Sequence, residues 1–362
     1  MAIAVSTQNV NITAYDYGSE PIQLTPENIQ GKLNSLSRQF PNRSFISRFK
    51  DIFVFTRIIN RNKPDVIHVN ALQDLIYVYL AVKMSARTSQ RPAIIAMSHN
   101  PNTWSNNAWF KAKYVNLFCN GFVALSTLHK DLLIKYGLSP RKITVIPNPY
   151  DPIQLTFKNL SIQEKPDKPK DHYKVIYIAN ICKRKAQDIL VNAAIEVQNK
   201  YPEIKFEFIG KIVQGEEEFA ERLKLLIKKN KKEESIVLVG EIPYKDVSTA
   251  LQECNIFVFP TWAEMMPRAV IEAMVFGKPV IASGVDGILD LIQNRKTGIL
   301  VQPGNISELA AAVIELIENP QLARTLGKAG QEYILEYCSP ERVGIEFCNY
   351  YQYILNNQGL NN

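Results

Sequence analysis

The sequence predicts an α/β protein made of two parallel-sheet domains in tandem. Three observations carry this. From about Pro64, short apolar runs alternate with helical stretches. The runs are continuous rather than alternating, as in strands covered on both faces. The pattern stops at a polar, proline-bearing stretch, NLSIQEKPDKPKDHY (159–173), and then restarts. A chain of 362 residues fits about two domains at ~150 residues each. With 46% hydrophobic and 21% charged residues, it has the apolar material for two cores, and global disorder is excluded.

The elements follow in order. One strand is expected near Val10–Ala14. DVIHVN (65–70) reads as a buried strand, 72–87 as a helix, and PAIIAMS (92–98), FVALS (122–126) and ITVIP (143–147) as further strands with helices between them. After the break come VIYIAN, a helix near 186–200, FEFIG, a charged helix near 216–232, IVLVG, a helix near 244–253 and IFVFP. A helix from about 267, PVIAS, GILV and helices to the end complete the chain. The expected organisation is a first domain over 1–155, a linker over 156–173, a second domain over 174–338, and a last helical segment over 339–362 that crosses back to the first domain.

Several classes are excluded. The longest apolar stretch, Leu75–Val82, is far short of the ~20 residues a membrane-spanning helix needs. The start, MAIAVSTQNV, has neither a basic region nor a sustained apolar one, so no secretory signal is read. Five cysteines (Cys119, Cys182, Cys254, Cys338, Cys348), an odd number without CxxC spacing, speak against a disulfide framework and a zinc site, and a reducing cytoplasm fits best. The charge is uneven. Residues 1–150 hold 17 Lys/Arg and 7 Asp/Glu, net +10; the remainder holds 42 − 17 = 25 and 35 − 7 = 28, net −3. The first half is therefore expected to face an anionic partner. No aromatic-plus-basic strand motif or helix-turn-helix pattern supports nucleic acid.

The chemistry concentrates in 255–304. Strand IFVF ends at Pro260, a short loop follows, and Pro267 is placed to be the first helical residue, where its missing N–H costs nothing. The amides of Arg268 and Ala269 would then form an anion site with the positive end of the helix dipole behind them. Glu264 lies in the loop and Glu272 in the helix, with seven residues between them. Each could accept hydrogen bonds from sugar hydroxyls, with a diphosphate on the amides between.

This pair of glutamates, inside PTWAEMMPRAVIEAMVFGKPVIAS, resembles the signature of the retaining glycosyltransferases of family 4. The resemblance continues through DGILDLI, TGILVQPG and ISELAAAVIELIENPQLARTLGKAG, and upstream through IANICKRKAQDILVNAA, KPDVIHVN, MSHNP and ITVIPNPYD. It covers roughly residues 60–340, specifically in the second half and loosely in the first. It implies the GT-B fold, with two Rossmann-like domains whose parallel sheets face across a cleft. By that resemblance Glu272 holds the donor ribose, Glu264 the hydroxyls of the transferred sugar, and Lys185 the diphosphate. Asn180 stands where many members carry an arginine, and His99 matches a histidine near the transferred sugar. Residues 265–268 (Met265, Met266, Pro267, Arg268) line the donor. No DxD occurs, so no metal and no resident cofactor are expected.

Plainer readings stand beside these. Glu272 could pair with Arg268 at i, i+4. Lys185 could be one of three solvated charges in KRK, with Lys183 and Arg184 as substitutes in the phosphate role. Met265 and Met266 could narrow the sugar pocket or merely pack. Gly284 and Gly287 could be turn glycines only. Residues 43–61 form a basic amphipathic helix: Arg43, Lys50, Arg57 and Arg61 on one stripe, Phe45, Phe49, Ile52, Phe53 and Ile59 opposite. The apolar face is expected to pack on the first domain's sheet, leaving the basic stripe free to touch lipid headgroups. Trp104, Trp109 and Phe110, beside Lys111 and Lys113, are a second candidate contact patch or an acceptor-site wall.

The expected activity is retaining, metal-independent hexosyl transfer from a nucleotide-diphosphate sugar to a hydroxyl of a glycan or lipid-linked acceptor. It belongs to cell-envelope polysaccharide or glycolipid synthesis, in the cytoplasm or on the inner face of the membrane. The family's glycine-rich first loop is not found before residue 60. That motivates a second reading as a catalytically inactive nucleotide-sugar-binding regulator; a sugar-nucleotide epimerase is the third.

Overall fold

The computed structural model describes residues 12–14, 22–24, 45–70, 72–86, 91–98, 107–150 and 173–357, with backbone only through residue 50. His99, Trp104 and all of the expected linker except Tyr173 lie outside these residues. The chain divides into two compact units, Met1–Pro149 with Ser339–Asn362, and Tyr150–Cys338.

The first unit contains β1 (Ile12–Ala14), β2 (Ile22–Leu24), α1 (Phe45–Asn62), β3 (Val66–Val69), α2 (Leu75–Met84), β4 (Ala93–Met97), α3 (Ala108–Phe118), β5 (Gly121–Ala124), α4 (Thr127–Lys135) and β6 (Ile143–Val145). β3-β4-β5-β6 form a parallel four-stranded sheet in that order. β4 and β5 are buried along their whole length, as their continuous apolar runs require. The strand expected near Val10–Ala14 does not join this sheet. It pairs antiparallel with β2 in a separate two-stranded ribbon.

α1 corrects the expectation for Phe53. Ile52 and Ile59 are buried, but Phe53 is 68% exposed. At 100° per residue Phe53 stands a quarter-turn from Ile52 and nearer to Arg57, so it and the exposed Val54 join the outward stripe.

The second unit contains β7 (Lys174–Ile178), α5 (Gln187–Lys200), β8 (Lys205–Ile209), α6 (Glu217–Lys229), β9 (Ile236–Gly240), α7 (Tyr244–Glu253), β10 (Ile256–Phe259), α8 (Arg268–Val275), β11 (Val280–Ser283), α9 (Ile288–Leu291), β12 (Ile299–Val301), α10 (Ile306–Glu318) and α11 (Pro320–Tyr337). Its sheet is parallel, ordered β12-β11-β10-β7-β8-β9. β10 and β11 are fully buried, whereas burial alternates along edge strand β9, where Val237 and Val239 are exposed despite its unbroken apolar sequence. Strand order reverses between β7 and β10, so the loops leaving their carboxyl ends form the sheet's switch point, where ligands bind in such folds.

α12 (Pro340–Asn356) belongs to the first unit although it follows the second in sequence. Ser339 caps it by accepting the Arg342 N–H, and Pro340 fills its first turn. The Tyr350 hydroxyl accepts the Phe122 N–H at 3.0 Å and donates to Lys142 O at 2.5 Å. Tyr351 bonds His68 Nδ1 at 3.1 Å, and Phe347 meets the His68 ring edge-on. A Cβ on Gly121 would overlap the Tyr350 hydroxyl, so glycine is required there. Among the described residues no helix is long and apolar enough to cross a membrane.

One buried titrating group sets an acid limit on the first unit. His129 in α4 is 3% exposed, and burial lowers its pKa to about 4. The unfolded chain, at ~6.5, takes up the proton first, so stability is complete above that value and is lost as pH falls from 6.5 towards 4. At pH 5 the loss from this residue is about 2 kcal/mol. Urea unfolding from pH 7.5 to 5 should show that slope, and His129→Leu should flatten it.

Candidate functional site

Two loops at the switch point build the site. After β7 the chain makes a single tight turn at Lys183–Lys185, and Ala186 leaves it in the left-handed region at φ 50°. After β10 the chain runs through Thr261–Met266 into α8.

Arg184 knits the loops together. Its carbonyl accepts the Trp262 N–H at 3.0 Å and the Thr261 hydroxyl at 3.1 Å, and its Nη1 donates to Ala263 O at 2.7 Å and Glu264 Oε1 at 2.6 Å. Lys185 Nζ donates to the same Glu264 oxygen at 2.5 Å. Glu264 is 7% exposed, so this carboxylate has exchanged water for two cations.

Lys185 is held on three sides. Its ammonium lies 4.8 Å from the centre of the buried Phe259 ring, and its carbonyl accepts the Tyr177 hydroxyl at 2.8 Å. Burial lowers its pKa; the charge and hydrogen bond of Glu264 oppose this, and the charge of Arg184 adds to it. Burial pushes the Tyr177 phenol well above its ordinary value, with the Glu264 charge adding.

Pro267 is not the first helical residue. It sits one place earlier, as the cap of α8, with ψ at 118°, and its carbonyl accepts the first intrahelical bond from Ile271 at 3.3 Å. The amides of Arg268, Ala269 and Val270 precede that bond and form the anion-seeking end of the helix. Arg268 is exposed. Met265 and Met266 are 6% and 5% exposed, so packing decides their side chains, and only their backbone is left to meet a ligand.

Glu272 lies one turn along α8, and its Oε1 accepts the hydroxyl of Tyr244, the exposed first residue of α7, at 3.4 Å. Asn180 is exposed at the end of β7, and its carbonyl accepts from Gln187 Nε2 at 2.9 Å.

A third segment closes on the loop. The Gly287 N–H donates to Glu264 O at 3.0 Å, and a Cβ on Gly287 would overlap Met265 O. This glycine is therefore a close-approach residue rather than a mere turn former. Beside it, the half-buried Asp286 carboxylate accepts the Glu264 N–H.

The structure thus brings Glu264 and Lys185 together on adjacent loops, with Glu272 in the helix that follows. It gives Arg184, a substitute in the sequence reading, a share equal to that of Lys185, while Lys183 is exposed. Tyr177, Phe259, Tyr244 and Asp286 were not singled out from sequence. Tyr177 and Phe259 sat inside strand runs and looked like core.

Comparison with known proteins decides the lineage. The Glycosyl transferases group 1 pattern matches residues 159–333, and the Glycosyltransferase Family 4 pattern matches residues 17–154. The chain belongs to the family 4 glycosyltransferases. An uncharacterized glycosyltransferase of Methanocaldococcus jannaschii is 28% identical over 160 residues, 44% of this chain and 42% of that one. The capsular polysaccharide biosynthesis glycosyltransferase CapM of Staphylococcus aureus is 27% identical over 227 residues, 61% of this chain and 58% of its own. The matched stretches therefore span about two-fifths to three-fifths of these relatives. HepE of Anabaena, crystallised with UDP-glucose, superimposes with a TM-score of 0.72 at 19% identity over 89% of this chain and 88% of its own. That likeness establishes the GT-B fold for this family 4 chain.

Proposed function

We propose that this chain transfers a sugar, with retention, from a nucleotide-diphosphate donor to a hydroxyl of a glycan or lipid-linked acceptor. One observation carries the reading. Glu264, Arg184, Lys185 and the open end of α8 converge on two loops of one switch point.

When the glycosidic bond to the donor breaks, negative charge grows on the departing diphosphate. Lys185, Arg184 and the amides of Arg268 and Ala269 are the groups that stabilise it, and they need no metal to do so. The two cations, now on Glu264 Oε1, turn to phosphate oxygens while remaining within reach of that carboxylate. Glu264 then accepts hydroxyls of the transferred sugar, and Glu272 those of the ribose in place of Tyr244. His99 is assigned a place near the transferred sugar, and Asn180 one near the phosphates. Attack comes from the same face as departure, assisted by the leaving phosphate, so no enzymic nucleophile is named.

A capsular transferase among the relatives and a UDP-glucose complex among the structural neighbours support a nucleotide sugar and an envelope glycan or glycolipid. The net charge of +10 over residues 1–150 supports an anionic partner for the first unit. On α3, Trp109 and Phe110 are 66% and 64% exposed, and Lys113 lies 5.5 Å from the Trp109 ring centre. Such a patch suits peripheral contact with an anionic bilayer from the cytoplasmic side.

The test is nucleoside diphosphate release from a panel of nucleotide sugars, with and without membrane lipid extract. Release on adding extract supports the transferase. Glu272→Ala should weaken donor binding about 10- to 100-fold, the effect of losing hydrogen bonds to a charged group. Tight binding without turnover points to the inactive regulator, and interconversion of the free donor to an epimerase.

A further inference from the structure

Asp286 departs from the ordinary in two ways. Its φ is +32°, a region that costs a residue with a side chain and persists only where the surroundings enforce it. It also places a second acid against Glu264. Burial raises its pKa, the hydrogen bond from the Glu264 amide opposes the shift, and the Glu264 charge adds to it. A strained, partly desolvated carboxylate next to another carboxylate is a poor choice for stability alone.

The geometry around it is reciprocal. Glu264 N–H donates to the Asp286 carboxylate, and Gly287 N–H donates to Glu264 O at 3.0 Å. Consecutive residues thus hold both polar groups of Glu264's main chain. Gly287 can come that close only because it lacks a Cβ. The turn itself is anchored: Gly284 N–H donates to Val301 O at 2.9 Å, and Ile288 N–H to Val285 O at 2.9 Å. With its main chain fixed, Glu264 can aim one oxygen at Arg184 and Lys185.

We propose that Asp286 is a positioning residue for Glu264, fixing its peptide so that its carboxylate stands ready for the hydroxyls of the transferred sugar. This rests on the reading of Glu264 given under Proposed function. It assigns Asp286 no contact with the donor, only an action through Glu264.

The experiment uses the full chain with Asp286→Asn, Asp286→Ala, Asp286→Gly, Glu264→Ala and the double variant Asp286→Ala/Glu264→Ala. The first readout is the amide resonance of Glu264, which needs no turnover. Asp286→Ala and Asp286→Gly should move it upfield, and Asp286→Asn, which keeps an acceptor oxygen, should hold it near its original place. The second readout is nucleoside diphosphate release. Asp286→Ala and Asp286→Gly should lower kcat about 10- to 100-fold, as misplacement of a reacting group by about 1 Å does, with donor KM within about threefold. The double variant should be no slower than Glu264→Ala alone. Asp286→Gly relieves the strained φ, so it should unfold at the same or higher urea concentration while losing turnover. A merely structural residue would not part stability from rate in this way. An unmoved Glu264 amide in Asp286→Ala, or losses that multiply in the double variant, overturns the proposal. A wild-type chain that binds and cleaves no nucleotide sugar overturns the donor reading instead, and the amide resonance then decides the Asp286 proposal alone.

Discussion

Glu264→Ala lowers the unfolding free energy of the second unit by about 3–5 kcal/mol, the usual effect of removing one partner from a buried ion pair. Lys185 and Glu264 have side chains only 13% and 9% exposed, so the substitution leaves an ammonium with little water and no counter-charge. Arg184, at 31%, can turn outward and adds little. Glu264 is also what opposes the downward push of burial on Lys185, so without it the Lys185 pKa falls further. A buried ammonium whose pKa lies below its unfolded value weakens the fold at neutral pH. That deficit shrinks as pH rises towards the unfolded value of about 10.4. Urea unfolding at pH 7 and pH 9.5 checks both the size and the sign. Glu264→Leu/Lys185→Met should recover most of the loss, because an apolar pair leaves no stranded charge. A deficit in Glu264→Ala that is independent of pH would show that lost packing, not the stranded ammonium, causes it.

Deleting residues 340–362 should leave the first unit without a stable fold. Phe347, Tyr350 and Ile354 are 1%, 7% and 5% exposed, and burying side chains of this size stabilises by about 1.5–3 kcal/mol each. Their sum approaches the whole stability of a typical domain. The deletion also strips the Tyr350 hydroxyl from the Phe122 N–H and the Lys142 carbonyl. Limited proteolysis should cut the first unit quickly and spare Tyr173–Cys338. Gly121→Ala, which drives a methyl group into Tyr350, should give a milder form of the same result. A deleted chain whose first unit resists protease as well as the full chain would refute this account.

Much of this was legible in the residues. Continuous apolar runs marked the strands of both sheets, because a strand covered on two faces has no polar side to show. The spacing of Glu264 and Glu272 around Pro267 marked the site. Other features depend on contacts between segments far apart in sequence. Nothing local in KRK says which cation turns inward; that follows from the tight turn at 183–185 and the left-handed Ala186. Nothing local says that β7 and β10 are neighbours, which is what brings Lys185 to Glu264 across 79 positions. Asp286-Gly287 looked like turn punctuation until the turn was seen to hold the Glu264 peptide. Phe53 shows the limit of a helical wheel, which gives an angle but not where the neighbouring element stops.

The Tyr350 clasp makes the order of translation matter. At about 5–20 residues per second, roughly ten to forty seconds separate the emergence of Phe122 from that of α12. Throughout that interval the amino-terminal sheet must wait on the ribosome with an uncovered flank, while the domain made after it can already be complete. A chaperone that shields β5 during synthesis would be needed most just before the ribosome lets go.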